Sequence, residues 1–265
     1  MFDQEARLTQ SALLSGLEFV RASNYDKKES VYPALFQLSL GFERLMKLVI
    51  VLDHKVGNEL RNPTDQELKA FGHNIAAAYE ACRSIAARHD PRSAWFVKGS
   101  IEHDLLKCLS KFGKGARYYN LDQLAGSQRD DDPIVEWYEV HLRLAAEFIP
   151  HSKQVKINER AIRHCDTYKM SGWEQDWKGE WWPNVDMVFR HELFRRTRPY
   201  FVWTVIRISY PFYDLLRALS SSAHKIEEER GIKELGVPYM YEYFPFFLCN
   251  RRTSVERTRW TRIYG

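Results

Sequence analysis

Residues 33–54, PALFQLSLGFERLMKLVIVLDH, constrain the fold more than any other stretch of the chain. Pro33 stands where a first helical turn begins, because its missing N–H is one that a helix start leaves unused. From there Leu38, Phe42, Leu45, Leu48, Val49 and Leu52 cover one side at helical spacing, and Ile50 and Val51 flank the other. A helix that is apolar nearly all round must be enclosed by neighbours, so this segment predicts the centre of a helical bundle. Its polar stripe is narrow. At 100° per residue, Glu43, Lys47 and His54 fall within about 40° of one another. Glu43 and Lys47 form an i, i+4 pair in the favourable order. Exposed, such a pair contributes a few tenths of a kcal/mol; enclosed, losing one member costs about 3–5 kcal/mol.

The rest of the chain follows the same period. Residues 3–22 predict a first helix with apolar positions 8, 12, 13, 17, 19 and 20. KVGNELRNPTDQEL reads as a loop into a third helix, with Gly72 near its start and His73 to His89 along it. EHDLLKCLSKFGKGARYYNLDQLAG gives a short helix, a glycine-containing turn and a further turn. KFGKGARYY could receive a phosphate, although a helix-to-helix turn fits it better. The Asp cluster and Pro133 open another helix through about Ile149. GWEQDWKGEWWPN places four Trp within ten positions; it reads as a connection packing its rings on the bundle, the alternative being an aromatic binding lip. A long helix over about 185–229 is expected, interrupted near Pro199 and Pro211. The aromatic and then basic closing stretch leaves room for extended structure. No hairpin dipeptide and no sustained alternation marks a strand, so the fold class is all-α.

The order of an N-terminal Leu- and Ala-rich helix, YPALFQLSLGFERLMKLVIVLDH, GHNIAAAYEAC and ARYYNLDQL resembles the HEPN domains (higher eukaryote and prokaryote nucleotide-binding). Many of these have a long second helix with Glu and Lys one turn apart, then a third helix led by His. The resemblance covers roughly residues 3–150. It implies a HEPN-like helical bundle over residues 1–165, extended by a helical and aromatic segment with a basic tail over 166–265. It also implies an RNA-directed enzyme, a defence or toxin-like effector that acts as a homodimer through the bundle. Active HEPN ribonucleases carry an Arg and a His separated by four to six residues, and cleave RNA without metal. Arg83-SIAAR-His89 and Arg217-ALSSSA-His224 have that spacing, and the first lies inside the HEPN-like region. A His moves the 2′-hydroxyl proton or protonates the leaving oxygen, while an Arg stabilises charge on the phosphate. Ser84 follows Arg83 where the family often has Asn, Asp or His. Arg83 and His89 are therefore the candidate catalytic pair, and Glu43, Lys47 and His54 a polar core or site.

The C-terminus suggests binding without chemistry. RRTSVERTRWTRIYG offers Arg251, Arg252, Arg257, Arg259, Trp260 and Arg262, which suit phosphate contact with base stacking. Its other reading is an ordered tail whose Trp260 docks on the bundle while its Arg side chains pair with acids such as Asp130–Asp132. RHELFRRTRPYF adds Arg190, Arg195, Arg196 and Arg198; if the two clusters meet, they make a phosphate-binding face. The alternative function is thus a non-catalytic helical module for nucleic acid or a protein partner.

Other classes are set aside. His191-Glu192 lacks the second His of HExxH, and no phosphate-cradling glycine loop or nucleophile elbow is present, so neither metal nor cofactor is expected. Cys82, Cys108, Cys165 and Cys249 form no CxxC, which argues against a zinc knuckle or a disulfide framework and for a reducing cytoplasm. No secretory pattern follows Met1. No window of about 18 residues lacks charge, so no membrane span is expected. A net charge of +4 and a pI near 8.8 permit RNA as a partner.

Overall fold

The computed structural model describes residues 1–264 except 65, 67–71, 91, 93, 127–131, 234 and 235, with the backbone alone at 263 and 264. The fold is all-α. Helix α1 spans Phe2–Ala22 and α2 spans Tyr32–Gly57, with Pro33 in the first turn of α2. The two meet where glycines let the backbones approach. A Cβ on Gly16 would sit 2.6 Å from Leu38 Cδ2, and one on Gly41 would sit 2.7 Å from Leu13 Cδ2. The two contacts, 16 with 38 and 41 with 13, run in opposite directions along the pair, so the helices are antiparallel.

Helix α3 (Ile75–His89) starts at Asn74, whose side chain accepts from the Ala77 N–H. Helix α4 (Ile101–Lys114) starts at Ser100 in the same manner. Such caps satisfy an otherwise orphan donor and contribute about 1 kcal/mol each. Gly115, at φ 145°, ends α4 in a conformation closed to other residues, and the chain continues through α5 (Tyr119–Leu124). The KFGKGARYY segment is therefore a helix end and turn. Helix α6 (Pro133–Phe148) is capped by Asp132, and α7 (His151–Tyr168) follows after Pro150.

A three-residue hairpin pairs β1 (Trp173–Gln175) with β2 (Trp181–Pro183). It divides the four Trp. Trp177 is buried and donates to the Tyr25 carbonyl, whereas Trp173 and Trp181 are 64% and 62% exposed.

Helix α8 (Asn184–Glu229) runs for 46 residues with Pro199 and Pro211 inside it. The expected interruptions do not occur. A proline removes one intrahelical hydrogen bond, and the Arg195 carbonyl freed by Pro199 instead accepts from the Arg198 side chain. Burial of Phe201, Val205, Ile206, Phe212, Leu215 and Leu219 outweighs the remaining cost. These residues share one core with α1, α2, α3, α4 and α6. The chain beyond residue 165 thus supplies an interior helix as well as an outer layer. The closing stretch forms 3₁₀ turns (Met240–Tyr243, Pro245–Leu248) and α9 (Arg251–Glu256), with Phe244, Phe247 and Trp260 in the core. Short-range turns replace the extended structure anticipated there. No helix among the described residues is long and apolar enough to cross a membrane.

Candidate nucleic-acid interface

Lys47, from the polar stripe of α2, lines a groove of about 810 Å³ beside the start of α1. Lys47 Nζ donates to Glu43 Oε1 at 2.6 Å, and His73 Nδ1 lies 3.0 Å from Glu43 Oε2. Burial works to raise the Glu43 pKa, but the hydrogen bonds from Lys47 and His73 prevail and hold it below the ordinary carboxylate range. Arg44 meets Glu5 at 2.7 Å, and Lys55 donates to the Leu60 carbonyl. Each cation named here already has a partner. His54 sits half-buried in the last turn of α2 and does not line the groove.

Arg83 and His89 remain on the surface of α3. Arg83 reaches Glu80 at 3.7 Å, while His89 Nε2 lies 2.9 Å from Asp53 Oδ1, whose other oxygen takes Arg88 at 2.7 Å. The second Arg–His pair is separated: Arg217 bonds Asp214, and His224 Nε2 donates to the Val237 carbonyl.

One arginine of the tail cluster, Arg259, meets the arginines of 195–198. A cleft of about 740 Å³ is lined by Arg21 from α1, Lys153 from α7, Arg195, Arg196 and Arg198 from α8, and Arg259 from the tail. Glu18 is the one carboxylate in that lining. Glu192 holds Arg195 and Arg196 at 2.7 Å from the side. Among the described residues, Arg21, Lys153, Arg198 and Arg259 have no carboxylate within 4 Å. Arg21 and Arg198 instead donate to the carbonyls of Val255 and Ser23. Burial lowers the pKa of both, and Arg198 is lowered further by the charge of Arg21. Two guanidiniums that are desolvated, mutually repelling and tied only to carbonyls form a site that an anion stabilises. Tyr200 and Phe19 line the same cleft.

The tail is positioned by an acid from the far end of α1. Glu18 Oε1 accepts from the Trp260 and Thr261 amides at 2.6 and 2.8 Å, and from the Thr261 hydroxyl. Burial would raise the Glu18 pKa; these hydrogen bonds outweigh it and lower it. Of the two readings of Trp260, stacking on a base and docking on the bundle, the burial of its ring fits the second. Its ring is 0% exposed, so it anchors the tail and offers no face to a base. Arg257 lies over that ring, Arg251 over Phe148 and Tyr200, and Arg252 against Glu256. Arg262 is exposed. Arg190 turns inward to the Tyr138 hydroxyl and Asp176. Of the expected tail acids, Asp130 and Asp131 lie outside the described residues, and Asp132 caps α6. Sequence reading missed Arg21 and Lys153, which join the cleft only through the tertiary fold.

Among the described residues, no three His, Cys, Asp or Glu side chains are placed to share a metal ion. Compared with known proteins, the chain matches no family model, no curated protein and no solved structure.

Proposed function

We propose that this chain is a nucleic-acid-binding helical protein that grips the phosphate backbone of RNA in the cleft between α1, α7, α8 and the tail. The convergence of six cations from four segments, four of them without a carboxylate partner, carries this reading. Displacing counterions from phosphates supplies the affinity, and the exposed Phe19 offers a ring at the same place. Anisotropy of a fluorescein-labelled mixed-sequence RNA tests it, comparing the wild type with the exposed pair Lys153→Glu/Arg259→Glu. The reading requires tight binding by the wild type and its loss in the variant.

A second reading follows the HEPN resemblance: a metal-independent ribonuclease, dimeric, with Arg83 and His89 as its catalytic pair. One observation favours it. Asp53 bonds His89 Nε2 and fixes the ring, leaving Nδ1 to take or give a proton. RNA incubated with EDTA and the wild type, Arg83→Ala or His89→Ala decides it: this reading needs cleavage that both substitutions abolish.

A further inference from the structure

The cleft does not end at Lys153. That residue begins a row on α7 with Lys156, Arg160 and Arg163, four exposed cations with no carboxylate within 4 Å among the described residues. At 100° per residue the four fall within about 80° of one another. At 1.5 Å per residue they extend the basic surface by about 15 Å. The acids of α7, Glu159 and Asp166, fall outside the row. Between α7 and α8 a second cavity of about 630 Å³ continues the seam, with Arg160 on its wall. It also holds Asp26, Glu174 and Glu192, which repel phosphate and leave the outer row as the phosphate path.

The seam ends at the hairpin. Glu174 and Trp182 pair across the two strands on one face, and Trp182 lies under the Arg190 guanidinium at 4.0 Å. Strand alternation puts Trp173, Gln175, Trp181 and Pro183 on the other face. Both Trp on that face are more than half exposed. Nothing in the core uses them.

We propose that a single strand of RNA leaves the cleft along α7, its phosphates on Lys153, Lys156, Arg160 and Arg163, and ends with bases stacked on Trp173 and Trp181. This rests on the cleft reading above and adds a ligand class: single-stranded, and long enough to reach the hairpin. A duplex keeps its bases stacked on one another and cannot offer them to the two rings. A basic helix beside exposed Trp also suits an anionic membrane surface. The fold gives that partner little, because the apolar stripe of α7 (Ile157, Ala161, Cys165) is buried on the bundle and the exposed Val155 and Ile162 lie about 120–140° around the helix from the centre of the cationic row.

The test uses the full chain with labelled single-stranded RNAs of about 4 and about 12 nucleotides, within the range of known single-strand site sizes, and the longer one also as a duplex. Vesicles of phosphatidylcholine with phosphatidylserine are the membrane probe. Two surface variants, Lys156→Glu/Arg160→Glu/Arg163→Glu and Trp173→Ala/Trp181→Ala, alter only exposed side chains. The wild type is expected to prefer the longer strand over both the short one and the duplex. Each variant should lose about tenfold or more on the longer strand and nothing on the short one. The longer strand should quench tryptophan fluorescence in the wild type, and less in the Trp variant. Equal affinity of the wild type and the α7 variant for the longer strand, with binding lost in Lys153→Glu/Arg259→Glu, overturns the track and leaves the cleft standing. Tight vesicle binding without discrimination between strand and duplex makes the surface a membrane contact and overturns the track as well. Failure of the wild type to bind either RNA removes the cleft reading itself.

Discussion

Two cationic recesses among the described residues differ in what their charges do. In the groove beside α1, Lys47 and His73 share Glu43, and Arg44 takes Glu5. In the cleft at the other end of α1, Arg21 and Arg198 touch only carbonyls, and Lys153 and Arg259 have no carboxylate within 4 Å among the described residues, although the charge of Arg259 is felt by Glu18. A charge neutralised inside the fold stabilises the fold. One left without a counterion, at a cost in desolvation and repulsion, is held available for something that arrives. On that criterion the groove is architecture, and the cleft is the place proposed for binding.

Substitutions can break or sharpen this contrast. The largest effect is expected from Trp260→Ala, which removes a fully buried ring and should cost about 3–5 kcal/mol in urea unfolding. RNA affinity should fall with it, because Arg259 loses its anchor. Next, Lys153→Glu/Arg259→Glu should weaken RNA binding by about 100-fold while leaving unfolding within about 0.5 kcal/mol of the wild type. Gly41→Ala reverses that pattern. Its new methyl meets Leu13, so stability should drop by about 1–3 kcal/mol with RNA affinity unchanged once folded. Lys47→Gln in the groove should do the same on a smaller scale, about 1 kcal/mol, since the pair is partly exposed.

The smallest effect is a pH response of the tail. The Glu18 pKa is lower in the folded chain than in the unfolded one, so its contribution is complete above the ordinary glutamate value. It is lost as the pH falls through the lower folded value. Hydrogen exchange at the Trp260 and Thr261 amides, corrected for intrinsic rates, should therefore accelerate in acid. Glu18→Gln should show the fast exchange at all pH values.

How much of this was legible in the sequence follows from the range of the interactions. The boundaries of α1, α2 and α3 were readable because apolar period, Pro33 and the loop residues are local signals. The continuity of α8 was not, because proline's local penalty is overcome by burial along the whole helix. Helix α7 escaped notice for the opposite reason: only Ile157, Ala161 and Cys165 form its buried stripe, too thin to stand out among charges. The arginines of 195–198 and 251–262 were visible as clusters, but which of them share a cleft was not. Of the tail arginines only Arg259 lines the cleft, because Trp260, for which stacking and docking both stood open in the sequence, turns inward and fixes which neighbours face out. Arg21 and Lys153 belong to the site through helix packing alone.

The contrast is tested most directly by the salt dependence of RNA binding, measured by anisotropy for the wild type, Lys153→Glu/Arg259→Glu and Lys47→Gln. For a single strand, the logarithm of the affinity should fall with the logarithm of salt at about 0.7 per phosphate held. The cleft variant should lose about two contacts' worth of that slope, and the groove variant should match the wild type. A wild type that binds no RNA, or a cleft variant with the wild-type slope, would contradict the assignment of the cleft as the binding site.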